Sequence, residues 1–150
     1  MGEGMSIHLY NAEKKDVKVV CDLMNEFKEV DLQELNYPEV DNNKLNTFVT
    51  IMLDKGQIIL VKDLDLEQVI GCAIFGKTEY WFSKSECIHL HTIFVKKNFR
   101  SFKLVSTLVD AVKKASDNLP IYLAVTSGLN IDPVFKKLGF QNLGANWRMN

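Results

Sequence analysis

The chain has 150 residues, 47% hydrophobic and 25% charged, with a formal net charge of −1. That profile is one soluble globular domain, 1–150, with chain enough for a single good core. The near-neutral balance excludes a chain-wide attraction to nucleic acid or membrane, so any anion site must be local, and runs such as QIILV and VIGCAIF are too short to cross a bilayer.

The start MGEGMSI lacks a basic region followed by an apolar one, so no signal peptide is read there, and residues 1–5 stand apart from the domain. Cys21, Cys72 and Cys87 are an odd, scattered set in apolar segments, as expected of reduced thiols in a cytoplasmic protein.

In chain order, SIHLY (6–10) alternates as a short strand. Val17, Val20, Cys21, Met24 and Phe27 recur at helical spacing over 16–27. The stretch 29–41 reads as a loop holding Glu29, Asp31, Glu34, Glu39 and Asp41 with no basic residue. Leu45, Phe48, Val49, Met52 and Leu53 predict a second helix, which Gly56 closes. QIILVKD (57–63) and QVIGCAIFGK (68–77) are strands joined by the turn DLDLE, and TEYWFSKSE extends that hairpin toward a strand over 87–95. A helix over 101–116 follows, with Leu104, Leu108, Ala111, Val112 and Ala115 on its core face. PIYLAVTS (120–127) is a strand. DPVFKKLGF is a short helix with Asp132 as N-cap, Pro133 in the first turn and Gly139 as its stop. The tail FQNLGANWRM is a last strand or hairpin. The order β-α-α-β-β-β-α-β-α-β implies an α/β (α+β) fold, a mixed sheet with helices packed on it. The strand–helix–strand unit from 87 to 126 should be a parallel crossover.

The stretch ECIHLHTIFVKKNFRS (86–101) concentrates the chemistry. Cys87, His89 and His91 share one strand face, and Lys96, Lys97, Arg100 and Lys103 follow at a helix start. Cations beside unpaired helix N–H groups make a polyanion cradle; a solvated basic turn is the plain alternative. The His-x-His pair has zinc-binding spacing, but no fourth ligand is evident and no Cys-x-x-Cys follows. Buried, hydrogen-bonded structural histidines are the commoner outcome.

With the order of elements, the strand ending at Val95, Arg100 opening the next helix and the later FKKLGF, the chain resembles the GNAT N-acetyltransferase superfamily from Ile7 to about Trp147. FKKLGF looks like that family's Y-x-K-x-G-F segment. The resemblance implies a mostly antiparallel sheet of six or seven strands with about four helices and a central parallel pair. It implies that the backbone of Ile93, Phe94 and Val95 pairs with the pantetheine arm of acetyl-CoA as co-substrate. Arg100, Ser101, Phe102, Lys103, Leu104, Val105 and Ser106 would wrap the pyrophosphate, with Phe135 close to the bound molecule. It further implies a base on the fourth strand. His91 is preferred, His89 lies two residues deeper on the same face, and Glu86 is a carboxylate alternative that alternation turns to the other face. Acetyl transfer to a primary amine of a small molecule or protein follows. The acidic stretch 29–41 would attract a cationic acceptor, and a homodimer is the family habit. Nucleic acid and membrane are not expected partners.

Three positions depart from the family pattern. Lys103 and Val105 stand where two small residues belong, and Phe135 replaces the usual Tyr acid. Tyr122 is a distant substitute acid. Alternatives therefore stay open: a GNAT-like domain that binds CoA or a protein without catalysis, and a Cys/His metal domain. Tyr80, Trp81 and Phe82 could line the acceptor pocket, a dimer contact or the core.

Overall fold

The computed structural model describes residues 6–124 and 132–150. One five-stranded sheet runs β1 (Ile7–Asn11), β2 (Gln57–Asp63), β3 (Gln68–Glu79), β4 (Glu86–Val95) and β5 (Ile121–Tyr122), in that spatial order. The first four strands form an antiparallel meander, and β5 lies parallel to β4. The hairpin between β2 and β3 closes on Asp63, whose Oδ1 accepts from the backbone N–H of Asp65 and Leu66.

Helices cover both faces, which is why β2 reads as an almost unbroken apolar run. Ile58 and Leu60 face α1 (Val17–Asp31) and α2 (Asn42–Lys55), where they meet Val20, Val49 and Cys72. Ile59 and Val61 face α3 (Phe102–Ala115) and meet Leu104, Leu108 and Val112. On α3 the buried set includes Val109, while Ala115, expected inside, is exposed. No helix among the described residues is long and apolar enough to cross a membrane.

The helix ends obey local chemistry. Asp41 caps α2, its Oδ1 accepting from Asn43 N–H at 3.0 Å and Lys44 N–H at 3.1 Å. Asp41→Ala is expected to cost about 1 kcal/mol, seen as a melting midpoint lowered by roughly 2–4 °C. The short α4 (Asp132–Lys137) ends as the sequence predicts. Phe140 N–H donates to Phe135 O, Gly139 N–H donates to Lys136 O, and Gly139 sits at φ +96°, a conformation that favours glycine. Phe135 and Phe140 meet edge to face across that cap, with ring centroids 5.4 Å apart.

Three expectations need correcting. Helix α1 runs through Asp31, so the acidic stretch begins on a helix rather than in a loop. Asp132 is the first helical residue and not a flanking cap. The tail from Phe140 to Asn150 is irregular, so the described sheet has five strands instead of six or seven. Residues 125–127 of the expected fifth strand lie outside the described residues.

Candidate active site

The decisive local feature is a bulge in β4. Thr92 pairs with Ile74 and Leu90 with Phe75, which leaves His91 as an extra residue. Ile88 N–H donates to Pro120 O at 2.8 Å, so Ile88 turns its backbone toward β5. Past the bulge the phase reverses. Lys96 N–H donates to Ile70 O on β3, and alternation then turns Phe94 and Thr92 toward β3 and Ile93 and Val95 away from it. The described β4–β5 pairing stops at His89 and Tyr122. The backbone groups of Ile93 and Val95 therefore face a cavity of about 340 Å³, walled by Leu123 and Ala124 beyond β5, by Phe27 of α1 and by Phe135 of α4.

At the far end of β4 stands Arg100. Its Nε donates to Val95 O at 2.8 Å and its Nη2 to Asp31 Oδ2 at 2.7 Å. The guanidinium also lies over Phe94, 5.5 Å from the ring centroid. Arg100, expected beside phosphate, is thus engaged by α1. Ser101 caps α3, its Oγ accepting from Leu104 N–H at 3.1 Å while its carbonyl accepts from Val105 N–H. Leu104 is buried in the core. Of the expected cradle, the amides of Phe102 and Lys103 remain at the open helix start, beside the exposed Lys103 side chain. Ser106 is half-buried one turn deeper, and Lys96 pairs with Glu26 at 3.3 Å.

The structure brings His89 and His91 together, ring centroids 4.1 Å apart, with His91 edge-on to Phe48 of α2 at 5.5 Å. Burial lowers the His91 pKa from its ordinary 6.5, and the neighbouring His89 adds a smaller push in the same direction. His91 lines the cavity; His89 does not. Glu86 drops out on geometry: it shares the face of Ile88, opposite to the histidines, and pairs with Lys77 at 4.0 Å. Among the described residues no group of three or more His, Cys, Asp or Glu side chains is placed to hold a metal ion. Burial pushes the thiol of Cys72 up to about 12, which leaves it inert.

Of the five acids expected above the acceptor site, Asp31 is bound to Arg100 and Asp41 caps α2, leaving Glu29, Glu34 and Glu39 exposed. Trp81 and Phe82 sit at the β3–β4 turn, 94% and 69% exposed, so they are neither core nor cavity wall. Tyr122 bonds Tyr80 hydroxyl to hydroxyl at 2.9 Å outside the cavity, and that bond pushes the Tyr80 pKa up to about 12. Phe135 walls the cavity without offering a proton. Two cavity residues stand apart from their sequence reading: Asp31, expected among the loop acids, lies on the cavity wall, and Thr92 is not named by the sequence at all. A signal for Asp31 does exist, as the i+4 continuation of Phe27 on the buried helix face; for Thr92 the bulge hides it.

Residues 24–150 match the model of the acetyltransferase (GNAT) domain. The chain belongs to the GNAT acetyltransferase family. Solved structures similar to this GNAT chain include an aminoglycoside N-acetyltransferase in complex with CoA, 15% identical, with 100% of this chain and 97% of that chain covered at a TM-score of 0.78. A possible acetyltransferase from Clostridium difficile 630 is 14% identical over 98% of this chain and 97% of that one, TM-score 0.73. A predicted acetyltransferase with acetyl-CoA from Clostridium acetobutylicum is 19% identical over 97% and 96%, TM-score 0.69. These likenesses establish the mixed GNAT fold. Among curated proteins no sequence matches.

Proposed function

We propose that this GNAT chain transfers an acetyl group from acetyl-CoA to a primary amine of a small molecule or protein by direct attack. The observation that carries the proposal is the phase reversal at His91, which aims the backbone edge of Ile93 and the N–H of Val95 into an apolar slot leading to the start of α3. Similar folds hold CoA and acetyl-CoA.

The residues present fit such a co-substrate. The Ile93 carbonyl and the Val95 N–H would take the amides of the pantetheine arm, and Phe27, Leu123 and Phe135 would exclude water from it. The Phe102 and Lys103 amides with the Lys103 ammonium would hold the phosphates. Acetyl-CoA supplies an activated thioester. The Ile93 N–H, on the His91 side of Val95, would donate to the carbonyl oxygen as charge grows on it. His91, neutral above its lowered pKa, accepts the proton lost by the attacking nitrogen. With Phe135 in place of a hydroxyl, the leaving thiolate departs unprotonated, tolerable for a thiol of pKa about 8.5. Glu29, Glu34 and Glu39 favour a cationic acceptor.

Calorimetry with acetyl-CoA, followed by thiol release across an amine panel, tests this. Micromolar binding with turnover is expected, and Lys103→Ala should weaken binding roughly tenfold or more by removing a charged hydrogen bond. No binding up to millimolar acetyl-CoA would overturn the proposal. A second reading, binding without catalysis, is favoured by the engaged Arg100 and by Phe135; it predicts affinity with no thiol release for any amine.

A further inference from the structure

Two buried polar atoms, each on a residue that lines the cavity, have no part in the acetyl transfer just described. The Asp31 side chain is 7% exposed, and while its Oδ2 takes Arg100, its Oδ1 has no hydrogen-bond partner among the described residues. Thr92 Oγ1, on the same face of β4, is likewise buried and without a partner there. Both residues line the cavity that Ile93 and Val95 open. Buried polar groups are nearly always bonded, so each such exception calls for a cause.

We propose that Asp31 Oδ1 and Thr92 Oγ1 form a polar subsite for a neutral N–H or O–H donor on the arm of the bound thioester carrier, an amide or the hydroxyl. This rests on the acyltransferase reading and adds a binding role for α1, carried by side chains rather than by the β4 backbone.

Chemistry narrows the ligand group. A carboxylate oxygen only accepts, so the incoming group must donate. The Asp31 charge is already met by Arg100 at 2.7 Å. A further ammonium would bury a surplus positive charge among Phe27, Phe94 and Val105, which is costly without its own counter-ion. A neutral donor carries no such penalty. Position agrees: Asp31 reaches the cavity through Arg100 at the Val95 end of β4, while the acceptor base His91 lies roughly 13 Å back along the strand. Thr92 adjoins His91 and Asp31 is held at the Val95 end, so the two oxygens stand along the path of the arm from the reacting end to the phosphate end. Thr92, which both donates and accepts, suits an amide lying across the strand.

The full chain is titrated by calorimetry with CoA, with pantetheine and with adenosine 3′,5′-bisphosphate, as wild type and as Thr92→Val and Asp31→Asn. Thr92→Val keeps the shape and removes a hydroxyl unpartnered in the free protein. It should leave the melting midpoint of the free protein unchanged or raise it, while weakening CoA and pantetheine roughly threefold to tenfold. Asp31→Asn should weaken the same two ligands, and neither variant should alter the bisphosphate. Equal pantetheine affinity in wild type and Thr92→Val would overturn the subsite and leave the acyltransferase reading standing. So would a parallel loss for the bisphosphate, which would place Asp31 at the phosphate end. Failure of the wild type to bind CoA or pantetheine at all would overturn both. Should Asp31→Asn fail to fold, Thr92→Val alone decides.

Discussion

Arg100→Ala is expected to destabilise the ligand-free protein by about 3 kcal/mol, lowering its melting midpoint by roughly 6–12 °C. Substitution removes the cation bonded to Asp31, whose side chain is 7% exposed, and leaves a buried carboxylate without that partner. It also strips Val95 O of its Nε donor and Phe94 of the guanidinium above it. Because Arg100 itself keeps 26% of its surface in water, the low end of the range for a broken buried pair applies. Arg100→Lys should recover only part of the loss. A single ammonium cannot serve Val95 O and Asp31 Oδ2 with the forked geometry of a guanidinium. Adding Asp31→Asn to Arg100→Ala should restore much of the stability, and the double-mutant cycle measures the coupling. An Arg100 that served only bound phosphate would leave the ligand-free melt untouched. A midpoint within a degree of wild type would show that the Asp31 pair does not hold the fold.

His91→Ala should lower kcat/KM by roughly 10²–10³, the usual contribution of a positioned base. The pH profile carries more information. Burial, then His89, lowers the His91 pKa below 6.5, so the neutral, proton-accepting form persists further into acid. The acidic limb of the rate profile should therefore fall below pH 6.5, and activity should be lost as pH drops through the folded pKa. Removing the second cause with His89→Ala should move that limb upward, toward 6.5. The same shift affects folding. With the folded pKa below the unfolded one, the unfolded chain binds more protons between the two values. The contribution to stability is full above about 6.5 and is lost as pH falls through the folded pKa. An acidic limb that stays in place in both variants would remove His91 from the proton-transfer role.

Much of this site is legible in the chain's local patterns. FKKLGF announces the α4 stop because a Schellman cap needs glycine at one position and an apolar residue after it, both local requirements. The face shared by His89 and His91 follows from strand alternation, and so does the exclusion of Glu86. The pieces that local pattern misses are non-local. Asp31 reads as one loop acid among five because the apolar stripe of α1 ends at Phe27, although the helix continues one turn further. The tail alternates like a strand, yet pairing needs a partner edge, which alternation does not provide.

Taken by itself, the sequence determined the order of elements as far as α4, the helix stops at Gly56 and Gly139, and the concentration of cations at the start of α3. Each is a consequence of neighbours within a few turns of chain. Tertiary structure alone decided the rest. Whether Ile93 and Val95 face β3 or an open cavity depends on one extra residue in register with Ile74 and Phe75. Whether Arg100 is free or held depends on a carboxylate 69 residues away. Backbone phase and buried-charge pairing are set only when distant segments meet, because both are properties of the partner as much as of the residue.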